Sequence, residues 1–350
     1  MLERLNIRNY RVFNDLKIDR LSRINLIAGK NNSGKTSLLE AIFLLAGGGN
    51  AKMALHSHGV GLYLGSKTGE TLWKPMFSEL DMSRSIEIVG HHKTLGQLTL
   101  EISLEQPRTT EISLDRTGGA YSNAYSDAYK TYEWTLVFQY TDPNGQQPKS
   151  HIRQKKDAFE IEPIHTDFAF EAMILPSGIG DIREEAQLLG RLRKYKRGQV
   201  LLEALRVIEP RLQSIEDNSA SGAPMIWGDI GLLELIPLSE MGEGMTRVAR
   251  LILAIASTPG GVILADEIEN GLHHSILPKV WKVVDTAAKQ FKTQVFATTH
   301  SFECVEAGHK ALGAEGFLLH RLEANGTENR CVTYEPEEID VALRHNLEIR

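Results

Sequence analysis

Cysteine is scarce in this 350-residue chain. Cys304 and Cys331 are too few for a disulfide framework and sit at no metal-ligand spacing, which fits a reducing compartment. Long apolar runs are missing as well. None approaches the roughly 20 residues that a membrane-spanning helix needs, and the opening Met-Leu-Glu-Arg-Leu-Asn lacks a signal-peptide pattern. A cytoplasmic protein with no membrane partner is expected. Positive charge is not in excess: the formal net charge of −6 excludes a surface coated in phosphate contacts, so nucleic-acid binding would have to rest on a local patch. The histidines His56, His58, His91, His92, His273 and His274 lack partners at metal-binding spacing.

With 42% hydrophobic residues, the chain can bury a sizeable core in one or two domains. Its organising stretch runs from Gly29 to Thr36, Gly-Lys-Asn-Asn-Ser-Gly-Lys-Thr, with two glycines at the spacing of a phosphate-binding loop followed by Lys-Thr. Gly29 and Gly34 permit the tight turn that points the amides of Lys30, Asn31, Asn32 and Ser33 at a di- or triphosphate. Lys35 adds a charge near the outer phosphates, and the Thr36 hydroxyl can hold magnesium. Ile24 to Ala28 reads as a buried strand. Ser37 to Ala46 reads as a helix with Leu38, Leu39, Ile42, Leu45 and Ala46 on one face, stopped by Gly47-Gly48-Gly49. A phosphate between that strand and the helix N-terminus gains from exposed amides and the helix dipole.

Residues 1 to 20 alternate around Leu5, Ile7, Val12, Leu16 and Ile18, as a pair of strands would. Ile86 to Val89, Leu98 to Leu104, Ile112 to Leu114 and Trp134 to Tyr140 continue the pattern, so an antiparallel β layer is expected beside the nucleotide site. Tyr121, Tyr125 and Tyr129 interrupt it in a polar stretch that reads as a surface loop, with an aromatic platform for bases as the alternative. Residues 181 to 209 read as helical and carry the basic cluster Arg191, Arg193, Lys194, Lys196 and Arg197. That cluster suits DNA backbone, an acidic partner or plain solvation. Asn218 to Pro224 is a polar loop, and Ile226 to Leu235 offers β material.

The pattern then turns α/β. A helix carries Val248, Leu251, Ile252, Ile255 and Ala256, a strand follows at Val262 to Ala265, and a second helix runs from Ile276 to Phe291. Gln294 to Ala297 is the next strand, so a parallel crossover is implied. Asp266 and Glu267 end the first of these strands, where open α/β sheets place ligands. Two adjacent carboxylates suit a division of labour, with Asp266 on the metal and Glu267 as base toward a water, help worth roughly 10² to 10⁴ in rate. His300 ends the second strand; on spacing alone a structural histidine is the default there, and contact with a terminal phosphate or the lytic water is the alternative.

The series Gly29–Ser37, Ser239–Arg247, Asp266–His273 and Thr298–Ser301, with the opening Ile7–Phe13, resembles the ABC-type ATPase heads of the RecF, SMC and OLD group. The likeness runs from residue 1 to about 310. It implies an α/β P-loop fold of ABC-ATPase head type, with a mixed sheet, an antiparallel β layer and a helical lobe. The parts would be residues 1–175 (phosphate loop and β layer), 176–225 (helical lobe) and 226–350 (signature helix, acidic strand end, switch histidine and C-terminal strands). By the same resemblance ATP and Mg²⁺ are the cofactors, and Lys35, Glu267 and His300 serve catalysis. Gly29 to Ser37, Arg11, Gly242, Glu243 and Gly244 bind nucleotide, and Thr36 and Asp266 hold the metal. Asn270-Gly271-Leu272 falls where the D-loop belongs. Met241 stands where the signature motif usually has serine, which leaves Ser239 as a substitute.

Such heads form a head-to-tail dimer around two ATP molecules, and hydrolysis parts them. The span 176 to 225 shows no sustained heptads for SMC-type arms. The 50 residues after His300 do not suffice for the TOPRIM nuclease of a complete OLD protein. The expectation is an ATPase switch acting on a separate effector, such as a TOPRIM-like nuclease in antiviral defence. A RecF-like DNA-binding repair ATPase is the alternative, and a transporter subunit a weaker one.

Overall fold

A computed structural model describes residues 1–57, 72–111, 130–155, 158–162, 168–178, 180–218, 222, 224–313, 315–325, 328–345 and 347–349. The expected strand Ile112 to Leu114 and the tyrosines at 121, 125 and 129 lie outside them.

The chain opens with a hairpin, β1 (Leu2–Tyr10) and β2 (Phe13–Ile18), antiparallel with Tyr10 opposite Phe13. With β4 (Ile86–His92), β5 (Gly96–Glu111), β6 (Lys130–Thr141), β7 (Lys149–Lys155) and β8 (Ala158–Glu162), the hairpin forms a seven-stranded antiparallel sheet. Its order is β2-β1-β4-β5-β6-β7-β8. The described alternating runs of the first 140 residues are therefore one layer.

The second sheet gathers strands that are far apart in the chain. Its order is β16-β15-β3-β14-β13-β9, built from β3 (Ile24–Ala28), β9 (Ala172–Leu175), β13 (Val262–Ala265), β14 (Gln294–Thr299), β15 (Phe317–Asn325) and β16 (Glu328–Tyr334). All neighbours are parallel except β15 with β16. Both faces are covered, so β3 and β13 are apolar at nearly every position. Val262 and Leu264 point into one core and Ile263 and Ala265 into the other.

Helix α1 (Lys35–Ala46) lies between the two sheets, touching β1, β4 and β5 on one side and β9, β13 and β14 on the other. Every residue from Ser37 to Ala46 is buried. The expected single apolar face is thus replaced by burial all round, because a helix clasped between two sheets has no solvent side. After it comes the short α2 (Lys52–Ser57).

On the opposite face of the second sheet lie α3 (Ile182–Lys194), α4 (Gln199–Arg206), α5 (Glu243–Ser257), α6 (Leu277–Phe291), α7 (Phe302–Leu312) and α8 (Pro336–Arg344). Beside α3 sits a small sheet of β10 (Ser214–Asn218), β11 (Met225–Asp229) and β12 (Ile236–Pro237). Asn218, expected in a loop, ends β10, while the β material expected to Leu235 gives way at Ile230 to bends. The residues after His300 pack onto the same sheet: β15 pairs with β3, and α7 and α8 pack against β15.

Candidate phosphate-loop site

The neighbouring strands β3, β14 and β13 are parallel, so Gly29, His300 and Asp266 leave the sheet at the same edge. That edge, at the carboxyl ends of the strands, is where open α/β sheets hold ligands.

Gly29 has φ 154° and Gly34 φ 98°, with Asn32 at φ 64° between them. A Cβ on Gly34 would stand 2.6 Å from Phe13 Cζ and 2.6 Å from Val12 Cγ2, so only glycine lets the β1–β2 tip close on the loop. A Cβ on Gly29 would meet Ser33 Oγ at 2.5 Å and the Leu322 carbonyl at 2.8 Å. Among the described residues, Ser33 Oγ is buried with no hydrogen-bond partner. Gly34 caps α1 in a left-handed conformation, with no side-chain cap and no acidic residue in the first turn. The amides and dipole at this end are uncompensated, so the loop fits an anionic phosphate group.

Lys35 Nζ donates to the carbonyls of Gly29 (2.7 Å) and Lys30 (3.0 Å). Burial lowers its pKa, and the charges of Asp266, Glu267 and Glu269 oppose that. Thr36 Oγ1 donates toward Asp266 at 3.2 and 3.4 Å, which puts hydroxyl and carboxylate face to face in the donor set a magnesium ion takes. Lys30, Asn31 and Asn32 are exposed, and Ser37 is buried behind them.

Asp266 also accepts a 2.5 Å hydrogen bond from Thr298 Oγ1, and the same hydroxyl accepts from the Glu267 amide at 2.8 Å. Glu267 has φ 46°, a left-handed conformation costing of order 1–3 kcal/mol that persists only where its surroundings enforce it. They do: Arg247 of α5 donates to the carbonyls of Asp266 and Glu267, the latter at 3.0 Å, and to Pro176 at 2.9 Å. His300 Nδ1 lies 3.8 Å from Glu267 Oε1 and 3.6 Å from Glu269 Oε1. Glu269 accepts from Thr299 Oγ1 at 2.7 Å and from the His300 amide at 3.1 Å, fixing the turn that presents the imidazole.

Thr298, Glu269 and Arg247 gain no individual role from sequence reasoning, although all three lie inside the quoted motifs. For Glu269 and Thr298 the available signal was their position between Glu267 and His300; Arg247, on a separate helix, had none.

The segment Met241–Gly244 leads into α5. Leu238–Met241 forms a 3₁₀ turn on which Ser239 is exposed, and Gly242, at φ 106° and ψ 156°, starts α5 without a side-chain cap. Gly242 and Glu243 are exposed, while a Cβ on Gly244 would touch Leu272 at 3.3 Å and the Gly271 carbonyl at 3.4 Å. The signature segment therefore rests on Asn270-Gly271-Leu272. Among the described residues no hydrogen bond joins Gly242–Gly244 to Gly29–Thr36. Arg11, by contrast, comes close to the loop through Val12 and Phe13, and its guanidinium pairs with Glu40 of α1.

The fold and this edge of the sheet together define an ABC-type ATPase head of the RecF and SMC group. Residues 24–306 match the family described as "AAA domain, putative AbiEii toxin, Type IV TA system", and the chain belongs to it. It is an ATP-hydrolysing enzyme. An ATP/GTP phosphatase of Helicobacter pylori is 27% identical over 331 residues, 87% of each chain. A DNA replication and repair protein RecF of Idiomarina loihiensis is 49% identical over 47 residues, 13% of each chain. The SMC head bound to the C-winged helix domain of ScpA superposes with a TM-score of 0.50 at 13% identity, covering 98% of this chain and 99% of that one. Among the described residues no helix is long and apolar enough to cross a membrane.

Proposed function

We propose that this chain is an ATP-driven switch. Two copies close head to tail on ATP, each phosphate loop facing the other copy's Met241–Arg247 segment, and hydrolysis releases them. The observation that carries this reading is the helix end at Gly242–Gly244, which has no side-chain cap, is exposed at Gly242 and Glu243, and among the described residues shares no hydrogen bond with the chain's own phosphate loop. An open helix N-terminus favours an anion, and here a second copy's terminal phosphate supplies it.

Within each site, Lys30–Ser37 wrap the phosphates and Lys35 leaves the loop carbonyls for them. Thr36 and Asp266 would hold a magnesium ion, which supplies positive charge on the phosphate oxygens. Glu267 takes the proton of the attacking water, its strained backbone held by Thr298 and Arg247, and His300 orients that water or the terminal phosphate. If the site is shared, ATPase activity per protomer rises with protein concentration until pairing saturates. A protomer sufficient by itself gives a flat line.

The output of the switch is a separate cytoplasmic effector, for which a TOPRIM-like nuclease in antiviral defence is our first choice. The exposed side chains of Arg191, Lys194, Lys196 and Arg197 favour a second reading, a RecF-like ATPase that holds DNA itself. Arg193 of that cluster pairs with Asp217. ATP-dependent, salt-sensitive DNA binding that disappears when those four residues are neutralised supports the second reading over the first.

A further inference from the structure

Helix α1 contains an anomaly. From Leu38 to Ala46 every residue is apolar except Glu40, yet the whole stretch is buried between two sheets. An isolated buried carboxylate costs several kcal/mol, and an apolar residue would pack there without that cost. Glu40 lies one helical turn beyond Thr36, and its side chain is 7% exposed.

Its partner arrives from the other sheet. Arg11 occupies the tip of the β1–β2 hairpin with φ 50°, its amide donating to the Met76 carbonyl at 2.8 Å. The next residues, Val12 and Phe13, close on Gly34, and the Val12 carbonyl accepts from Asn329 Nδ2 at 2.6 Å. The hairpin tip is thus pinned on three sides against the phosphate loop. From there Arg11 Nη2 reaches Glu40, 3.0 Å from Oε1 and 2.9 Å from Oε2. The guanidinium side chain stays 28% exposed, so the pair is not sealed into the core.

We propose that Glu40 is a positioning residue for nucleotide binding, acting through Arg11 by fixing its guanidinium beside the phosphate loop. This rests on the phosphate-loop reading above. Burial raises the Glu40 pKa to about 7, and the Arg11 charge acts against that rise. A long Arg side chain at a hairpin tip is otherwise spread over many rotamers, and holding it in advance lowers the entropy cost of gripping phosphate.

The test is equilibrium binding of a fluorescent ATP analogue to the full chain and to Glu40→Gln, Arg11→Gln and the double variant, with melting temperatures measured without nucleotide. Each single variant is expected to bind about tenfold more weakly, and the double variant no more weakly than Arg11→Gln, because Glu40 acts only through Arg11. The double variant should melt near the wild type, since replacing both partners of a buried pair is nearly neutral. Wild-type affinity in Glu40→Gln, multiplied losses in the double variant, or affinity loss that merely tracks melting would each overturn the proposal. Lys35→Ala is the control: if it binds the analogue normally, the phosphate-loop reading fails, whatever Glu40 does.

Discussion

The two large sheets press on α1 from opposite sides, but they differ in what they do with their strand ends. In the six-stranded sheet, β3, β14 and β13 finish together and crowd polar groups into one edge: Gly29 with its loop, Thr298 with His300, and Asp266 with Glu267. Among the described residues, the seven-stranded sheet delivers to that edge the hairpin tip from Arg11 to Phe13. Parallel strands force this concentration, because their ends align by construction, whereas antiparallel strands scatter their turns to both sides. On the proposed mechanism, one sheet therefore carries the chemistry while the other fixes the shape of the loop that binds the substrate.

Substitutions should separate the two roles. The largest effect belongs to the parallel edge: Glu267→Gln should lower turnover by roughly 10² to 10⁴ while ATP still binds, measured by phosphate release and equilibrium binding. Normal hydrolysis by that variant would take the base role from Glu267. In the antiparallel sheet, Phe138 is 1% exposed, and Phe138→Ala should cost about 3–5 kcal/mol of stability in denaturant unfolding. Turnover per folded molecule should stay unchanged; a matching fall would show that this sheet shapes the chemistry directly.

A smaller effect sharpens the comparison inside the parallel sheet. His320 of β15 is fully buried between Thr333 and Asn25, and burial pulls its pKa down to about 3. The unfolded chain takes up that proton near 6.5, so stability is lost as pH falls below about 6.5 and the loss continues to about 3. At pH 5 it amounts to about 2 kcal/mol. His320→Asn should reduce the loss of unfolding free energy between pH 7 and pH 5, measured by denaturant titration, by that amount.

Much of this was legible in the chain itself. Ile24–Ala28 and Val262–Ala265 are continuous apolar runs because both faces of their sheet are covered, and their bounds are those of β3 and β13. The phosphate loop declares itself through glycine spacing that the backbone angles require. Other features depend on residues distant in sequence. Nothing local shows that Ser37–Ala46 is buried on every side, since that follows from two sheets assembled from residues 2 to 334. Arg247 likewise looks like an ordinary helix charge until the fold brings it to the carbonyls of Asp266 and Glu267. β7 and β8 went unread because Lys149–Glu162 is polar and alternates weakly near the end of its sheet.

The shared ATP site is tested most directly by the mass of Glu267→Gln in solution, measured by light scattering with ATP, with ADP and without nucleotide. The account predicts twice the protomer mass with ATP alone, reverting to one protomer when Gly244→Asp is added. A single-protomer mass with ATP bound, or equal pairing in all three conditions, would contradict it.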